Sequence, residues 1–127
     1  MYNLPNLESQ RAALLQPLDP NLHRLLAGRI KDAVALELGD LTHMTVIQPH
    51  DTEADIIDAL GFSPLVSRID GIHLKPDWDW FEQHEGYFEL VYTVGDSGFA
   101  YLVFVQDSEG VLPDLLTLCR EGQATCS

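Results

Sequence analysis

Two runs of β-branched and aromatic residues, separated by a turn with a glycine at each end, constrain the fold of this chain most strongly. The runs are Tyr87–Val94 and Phe99–Gln106, and residues 95–98 between them read Gly-Asp-Ser-Gly. This pattern is typical of an antiparallel β-hairpin. A two-residue loop and a four-residue loop both pair Val94 with Phe99, so the predicted register is the same in either case.

Because side chains alternate along a strand, this register sorts the hairpin into two faces. The second face is mixed but has an apolar centre of Val91, Leu102 and Phe104. A solvated sheet face would be polar, so we expect this face to be covered by a helix, by the chain's own termini or by another copy of the protein. The first face is apolar throughout and is predicted to lie in the core: it contains Phe88, Leu90, Tyr92, Val94, Phe99, Tyr101, Val103 and Val105.

Local patterns predict the elements around the hairpin. Asp19 and Pro20 have the residue types of a helix cap and first helical position, and Gly39 is expected to end that helix. Thr52 and Asp55 have the spacing of a capping box. The predicted helices are 7–16, 20–38, 52–60, 76–85 and 113–120, and the further predicted strands are 42–48, 65–69 and 72–75.

These elements predict an α+β fold. Its antiparallel sheet would have about four to five strands centred on the 87–106 hairpin, packed with about four to five helices. The chain of 127 residues is predicted to be one domain, residues 1–127, with a helical N-terminal part (1–39), a part with the sheet and further helices (40–121) and a tail (122–127).

The chain also lacks the patterns of an exported or membrane protein. No apolar run approaches the ~20 residues of a membrane span, and the N-terminal residues lack the layout of a signal peptide. Cys119 and Cys126 are expected to be reduced thiols. We therefore expect a cytoplasmic protein that contacts no membrane.

Negative charge is concentrated in the second part of the chain. The formal net charge is −13, yet residues 1–39 carry equal numbers of acidic and basic residues. From residue 40 on, 16 acidic residues face 3 basic ones. Such a surface repels phosphate backbones, so direct nucleic-acid binding is disfavoured and a basic protein partner is favoured.

No sequence motif assigns a chemistry. A glycine-rich phosphate loop, a nucleophile motif, and the CxxC and HExxH patterns are all missing, and no cofactor is expected. His50, Asp51, Glu53 and Asp55 are candidate metal ligands because imidazole and carboxylate oxygens coordinate divalent metals. The competing interpretation is ordinary capping at a helix N-terminus, which is also an unfavourable place for a cation.

A second group of residues could support acid–base catalysis. His73 and His84 lie near Asp77 and Glu82 in the sequence, and a His–carboxylate pair can transfer protons. Histidines scattered among acids are also common at surfaces without any catalytic role.

Tryptophan and acidic residues alternate in Asp77-Trp78-Asp79-Trp80. Aromatic rings beside carboxylates suit a cationic partner, although the rings could instead fill the core beneath the sheet. With the second hairpin face included, the candidate interaction residues are Asp77, Trp78, Asp79, Trp80, Glu82, Glu85, Val91, Leu102 and Phe104.

Four short segments carry a resemblance: Pro76-Asp-Trp-Asp-Trp-Phe, Tyr87-Phe-Glu-Leu-Val-Tyr, Gly98-Phe-Ala and Leu112-Pro-Asp-Leu-Leu-Thr-Leu-Cys. Over roughly residues 40–120 the chain resembles a small uncharacterised bacterial protein family associated with plasmids and integrated mobile elements. The resemblance implies a bacterial cytosolic setting and no catalytic residues.

Together these observations predict a non-enzymatic interaction or accessory module. It would present an acidic surface to a basic partner and associate with itself through the second hairpin face, giving a homodimer. One alternative is a small-molecule or metal-dependent enzyme that uses a His–carboxylate pair. A further alternative is a DNA mimic, which requires carboxylates in rows with phosphate-like spacing.

Overall fold

The computed structural model describes residues 1–38, 41–60, 80–94 and 99–120. Within these ranges the chain forms five strands and four helices. In chain order they are β1 (Tyr2–Leu4), α1 (Leu7–Ala13), α2 (Pro20–Ala35), β2 (Thr42–Ile47), α3 (Glu53–Leu60), β3 (Trp80–His84), β4 (Tyr87–Val94), β5 (Phe99–Gln106) and α4 (Pro113–Arg120).

All five strands belong to one sheet with the order β1-β2-β5-β4-β3. The pairing of β2 with β5 is parallel, and the other three pairings are antiparallel. The predicted α+β fold is confirmed, and the sheet is mixed but mostly antiparallel. The predicted division into residues 1–39, 40–121 and 122–127 stays a prediction.

The central hairpin has the predicted register. Val94 pairs with Phe99, Tyr92 with Tyr101, and the pattern continues to the pair Tyr87 and Gln106. This register follows from the alternating apolar residues, because a shift by one residue would turn every core side chain to the opposite face.

Helices cover both faces of the sheet. On the first face, Phe88, Leu90, Val103 and Val105 pack with buried residues of α3 and α4. On the second face, Phe104 packs with Met44 and Val46 of β2 and with buried residues of α1 and α2: Ala13, Leu22, Leu26 and Ile30. The hairpin is therefore the centre of three layers, helix, sheet and helix.

The chain's own helices thus shelter the second hairpin face. Phe104 is 0% exposed, while Val91 and Leu102 are partly buried. Of the three coverings considered, a helix is the one observed. Self-association stays a prediction, but a second copy of the chain is not required to keep Phe104 from water.

Helix α2 follows its sequence pattern but ends earlier than predicted. The Asp19 side chain accepts a hydrogen bond from the Leu22 N–H at 3.4 Å, as expected for a cap. The helix ends at Ala35, not at Gly39, in a Schellman motif: the N–H of Leu38 donates to the carbonyl of Ala33 at 2.7 Å. Glu37 takes the left-handed conformation, with φ of 59°.

Residues 80–84, predicted to be helical, form strand β3, so that prediction is wrong. Phe81 stacks on Phe88 with ring centroids 5.9 Å apart, and all five residues of the segment pair with β4, which satisfies the backbone groups that face that strand. Glu85-Gly86 is the two-residue turn between β3 and β4, and Gly86 has φ of +82°. This left-handed conformation is one that glycine adopts readily, and here it serves a hairpin turn.

Several further predictions can be compared with the structure. The capping box of α3 is confirmed: Asp55 N–H donates to Thr52 Oγ1 at 3.1 Å, and Thr52 N–H donates to the Asp55 carboxylate at 3.3 Å.

Strand β1 was not predicted. The predicted hairpin at 65–75 and residues 76–79 lie outside the described residues, as do Gly39, His73 and Cys126. No described helix has the length and apolar character needed to cross a membrane.

We predict that α2 is an integral part of the core. Leu26 is 0% exposed on α2, whereas Leu15, in the loop after α1, is 88% exposed. Leu26→Ala should lower the free energy of unfolding by about 2–5 kcal/mol because it leaves a cavity. Leu15→Ala, the matched control, should change it by less than about 0.5 kcal/mol. Urea unfolding followed by circular dichroism measures both, and equal values would contradict the packing of α2 on the sheet.

Candidate functional site

The most unusual position in the structure is a carboxylate in the interior. Glu89 lies in the middle of β4, opposite Phe104 of β5, and is 2% exposed. Among the buried side chains that the structure describes, Glu89 is the one that carries a charge, because burial lowers the pKa of His43 and favours its neutral ring. An unpaired buried charge would cost several kcal/mol or more, so its partners decide whether it is tolerated.

Arg29 of α2 supplies the main partner. Its Nε donates to Glu89 Oε2 at 2.6 Å and its Nη2 donates to Glu89 Oε1 at 2.6 Å. This is a bidentate guanidinium–carboxylate pair, the strongest common geometry for such a contact. Arg29 also contacts Glu82 at 3.2 Å and Asp32 at 3.5 Å, so one guanidinium joins three carboxylates.

His84 completes the cluster from the edge strand. Its Nε2 lies 2.9 Å from Glu89 Oε1 and 3.7 Å from Glu82 Oε2. The β3–β4 register places Glu82 directly opposite Glu89, and His84 follows Glu82 by two residues on the same face. Two strands and a helix thus converge on the Glu89 carboxylate.

These contacts keep the Glu89–Arg29 pair ionised. Burial alone would raise the pKa of Glu89, but hydrogen bonds from Arg29 and His84, together with their charges, lower it below its ordinary value of 4.5. The hydrogen bond to Glu89 raises the pKa of Arg29 despite its partial burial. At neutral pH the pair is therefore a carboxylate and a guanidinium, not two neutral groups.

The same cluster contains a set of possible metal ligands. One ligand atom from each of Glu82, His84 and Glu89 lies within 4.8 Å of the others, and this is the one such group formed by the described residues. Arg29 already provides a positive charge there, because its Nη2 contacts both carboxylates. A metal ion would have to displace the guanidinium from a buried carboxylate.

The candidate metal ligands of residues 50–55 have other roles in the structure. Asp51 accepts the Gln48 N–H at 2.7 Å and lies 3.3 Å from the N-terminal ammonium of Met1. Asp55 caps α3, Glu53 is exposed in its first turn, and His50 is exposed with φ of 73°. The described residues do not bring these four side chains together as a ligand set.

The predicted His–carboxylate pair is partly present. His84 and Glu82 are close in space, whereas His73 and Asp77 lie outside the described residues. The two residues that organise the cluster, Arg29 and Glu89, were not singled out. The available signal was an acidic residue on a hairpin face with an apolar centre, which requires a cation from elsewhere in the chain.

The candidate interaction residues are divided between surface and interior. Trp80 is 59% exposed, Glu82 is exposed on the same strand, and Glu85 is exposed in the turn after it. Val91 and Leu102 are partly buried, and Phe104 is fully buried beneath α1 and α2. Asp77, Trp78 and Asp79 lie outside the described residues.

Other buried groups have structural roles. The buried His43 has its Nε2 2.6 Å from Asn3 Oδ1, and burial lowers its pKa, which favours the neutral ring. Burial raises the pKa of the Cys119 thiol to about 12, so it is no nucleophile at neutral pH. Burial and the Asp19 carboxylate raise the pKa of Tyr87 to about 12.

Protein-family models, curated proteins and solved structures gave no match to this chain. The resemblance to a bacterial family associated with mobile elements therefore stays a prediction.

We predict that Glu89 stabilises the fold through its ion pair with Arg29. Glu89→Gln should lower the free energy of unfolding by about 1.5–3 kcal/mol, because the partly buried guanidinium of Arg29 loses its closest charged partner. Asp107→Asn is the matched control: Asp107 pairs with Arg120 at 3.0 Å on the surface, and its loss should cost less than about 1 kcal/mol.

The pH dependence of the free energy of unfolding tests whether ionised Glu89 stabilises the fold. Because the folded pKa of Glu89 is lowered, its stabilisation is present above about pH 4.5 and is lost as the pH falls through the folded value. Chemical unfolding measured from neutral to acidic pH should therefore show a shallower acid-side loss for Glu89→Gln than for the wild type. Parallel curves would contradict the lowered pKa.

Proposed function

We propose that this chain is a non-enzymatic module that binds a basic protein partner through its acidic surface. The observation that carries this proposal is the placement of the carboxylates. Of the acidic side chains that the structure describes, all except Asp51 and Glu89 are exposed. The negative charge is thus presented to solvent and is available to another molecule.

Internal pairing leaves most of this charge unbalanced. Arg29 is taken up by Glu89, Glu82 and Asp32, and Arg120 pairs with Asp107. The other described basic residues, Arg11, Arg24 and Lys31, all lie on α1 and α2. Such a distribution steers a cationic protein toward the chain and raises its association rate.

The enzymatic alternative has weaker support from the cluster at Glu89. Catalysis requires a group that meets substrate with its proton or lone pair available. Both oxygens of Glu89 are engaged by Arg29, and one of them also by His84. This arrangement is best explained as a link between α2 and the sheet.

DNA mimicry is a narrower form of the same proposal, with a DNA-binding protein as the basic partner. Several described acids have local roles at helix caps and turns: Asp19, Asp51 and Asp55 accept backbone N–H groups. Local capping accounts for their positions without any phosphate-like spacing, so we propose the broader function.

The proposal predicts a partner whose binding depends on salt. The immobilised chain would be used to isolate partners from extracts of its source cells, and each candidate would then be purified and measured by calorimetry and stopped flow. We expect a basic protein whose association slows several-fold as NaCl rises from about 50 to 500 mM, because salt shortens the range of electrostatic attraction.

Charge reversals of opposite sign provide the control. Asp58 on α3 and Lys31 on α2 are both exposed. Asp58→Lys should slow association, and Lys31→Glu should speed it up, because both change the net charge by two units in opposite directions. Partners that are acidic, or association that responds to neither salt nor charge reversal, would refute the proposal.

A metal-dependent enzyme is the second candidate, favoured by the proximity of Glu82, His84 and Glu89. It requires a divalent ion to bind with one-to-one stoichiometry through His84. We expect zinc titrations by calorimetry to show no difference between the wild type and His84→Ala, because Arg29 holds the carboxylates. His50→Ala removes an exposed histidine elsewhere and serves as control. Zinc binding that only His84→Ala abolishes would support the metal-dependent enzyme.

A further inference from the structure

Trp80 is a large aromatic side chain that the fold leaves in solvent. It begins β3 and is 59% exposed, whereas the next residue, Phe81, packs against the core of the first face. The strand register places Trp80 opposite the half-buried Val91. Trp80 therefore lies on the second face of the sheet, at its β3 edge.

Carboxylates surround this side of β3. Glu82 is two residues from Trp80 on the same face, roughly 7 Å along the strand, and its side chain is 46% exposed. Asp32, with a side chain 64% exposed, is joined to Glu82 through Arg29. Counting Glu89, three carboxylates surround one guanidinium, so the cluster next to Trp80 is net negative.

An exposed indole beside net negative charge has the chemistry to bind a cationic side chain. A lysine ammonium or arginine guanidinium is attracted to the face of an indole ring and, independently, to a carboxylate. Nucleic acid would be repelled by the same charges. A second copy of the chain would bring two negative clusters together, which is unfavourable.

We propose that Trp80 and Glu82 form a docking surface for a lysine- or arginine-rich segment of a protein partner. This inference rests on the proposed function and specifies where on the chain the basic partner binds. The cationic side chain lies over the indole of Trp80, and Glu82 balances its charge. Tryptophan provides the contact area and the carboxylate provides the preference for a cation.

A fluorescently labelled octalysine peptide is the probe, with binding to the purified chain followed by anisotropy in about 50 mM NaCl. Trp80→Leu keeps an apolar side chain but removes the aromatic ring, and should weaken binding about 2- to 5-fold. Trp80→Phe keeps a ring and should bind within about 2-fold of the wild type. Leu15→Ala changes an exposed apolar residue elsewhere and should have no effect.

The charge arm compares two exposed glutamates. Glu82→Gln and Glu109→Gln alter the net charge equally, but Glu109 lies in the loop after β5. Glu82→Gln should weaken octalysine binding about 2-fold more than Glu109→Gln. Thermal unfolding of each variant checks the fold. Should Glu82→Gln disturb the contact with Arg29, the comparison of Trp80→Phe with Trp80→Leu still tests the docking surface.

The outcomes separate this inference from the function on which it rests. Stronger effects at Trp80 and Glu82 than at Leu15 and Glu109 support the docking surface. Octalysine binding with equal effects at all four positions overturns it and leaves an acidic module that binds elsewhere. The lack of any octalysine binding contradicts the proposed function too. A dimeric mass in light scattering that Trp80→Leu converts to a monomer identifies a second copy as the occupant and overturns the inference.

Discussion

The structure depends on a two-stranded ribbon that is apolar on one face and at the centre of the other. Strand β5 has a hydrogen-bonded neighbour on each side, β2 and β4, and fully buried side chains above and below. A sheet of this kind cannot be stable with one face in water, because Phe88 and Phe104 alone would each expose a large apolar area. Helices on both faces follow from this requirement: α3 and α4 shelter one, and α1 and α2 shelter the other.

Glu89 is the exception on this apolar ribbon, and it restricts how α2 can lie. A rotation of α2 by one residue would turn Arg29 by about 100° and leave the carboxylate without its two shortest contacts. Hydrophobic residues such as Leu22 and Leu26 attract α2 to the sheet but tolerate small displacements. The Arg29–Glu89 pair adds direction to this attraction, since its hydrogen bonds are satisfied in one orientation.

The sequence predicted those parts of the fold whose signals are local. The 87–106 hairpin, α2, α4 and the Thr52–Asp55 capping box each depend on residues within a few positions of one another. Strand β3 was missed because Trp80–His84 has no regular alternation of apolar and polar residues, the pattern that distinguishes a strand from a helix. Its conformation is decided by β4, which offers the stack of Phe81 on Phe88 and backbone hydrogen bonds along one side of the segment. Likewise, residues 29 and 89 are 60 positions apart, and no local rule pairs them.

The same helix accounts for both the burial of Glu89 and the exposure of Trp80. Buried residues of α2 pack over side chains of β2, β5 and the first part of β4, and Arg29 extends as far as Glu82 on β3. Phe104, beneath this helix, is therefore sheltered within the chain. Trp80 lies on the same face of the sheet, in the strand that the apolar residues of α2 do not cover. A face that looked suited to self-association from its sequence is thus divided by α2 into a closed apolar centre and an exposed aromatic edge with carboxylates beside it.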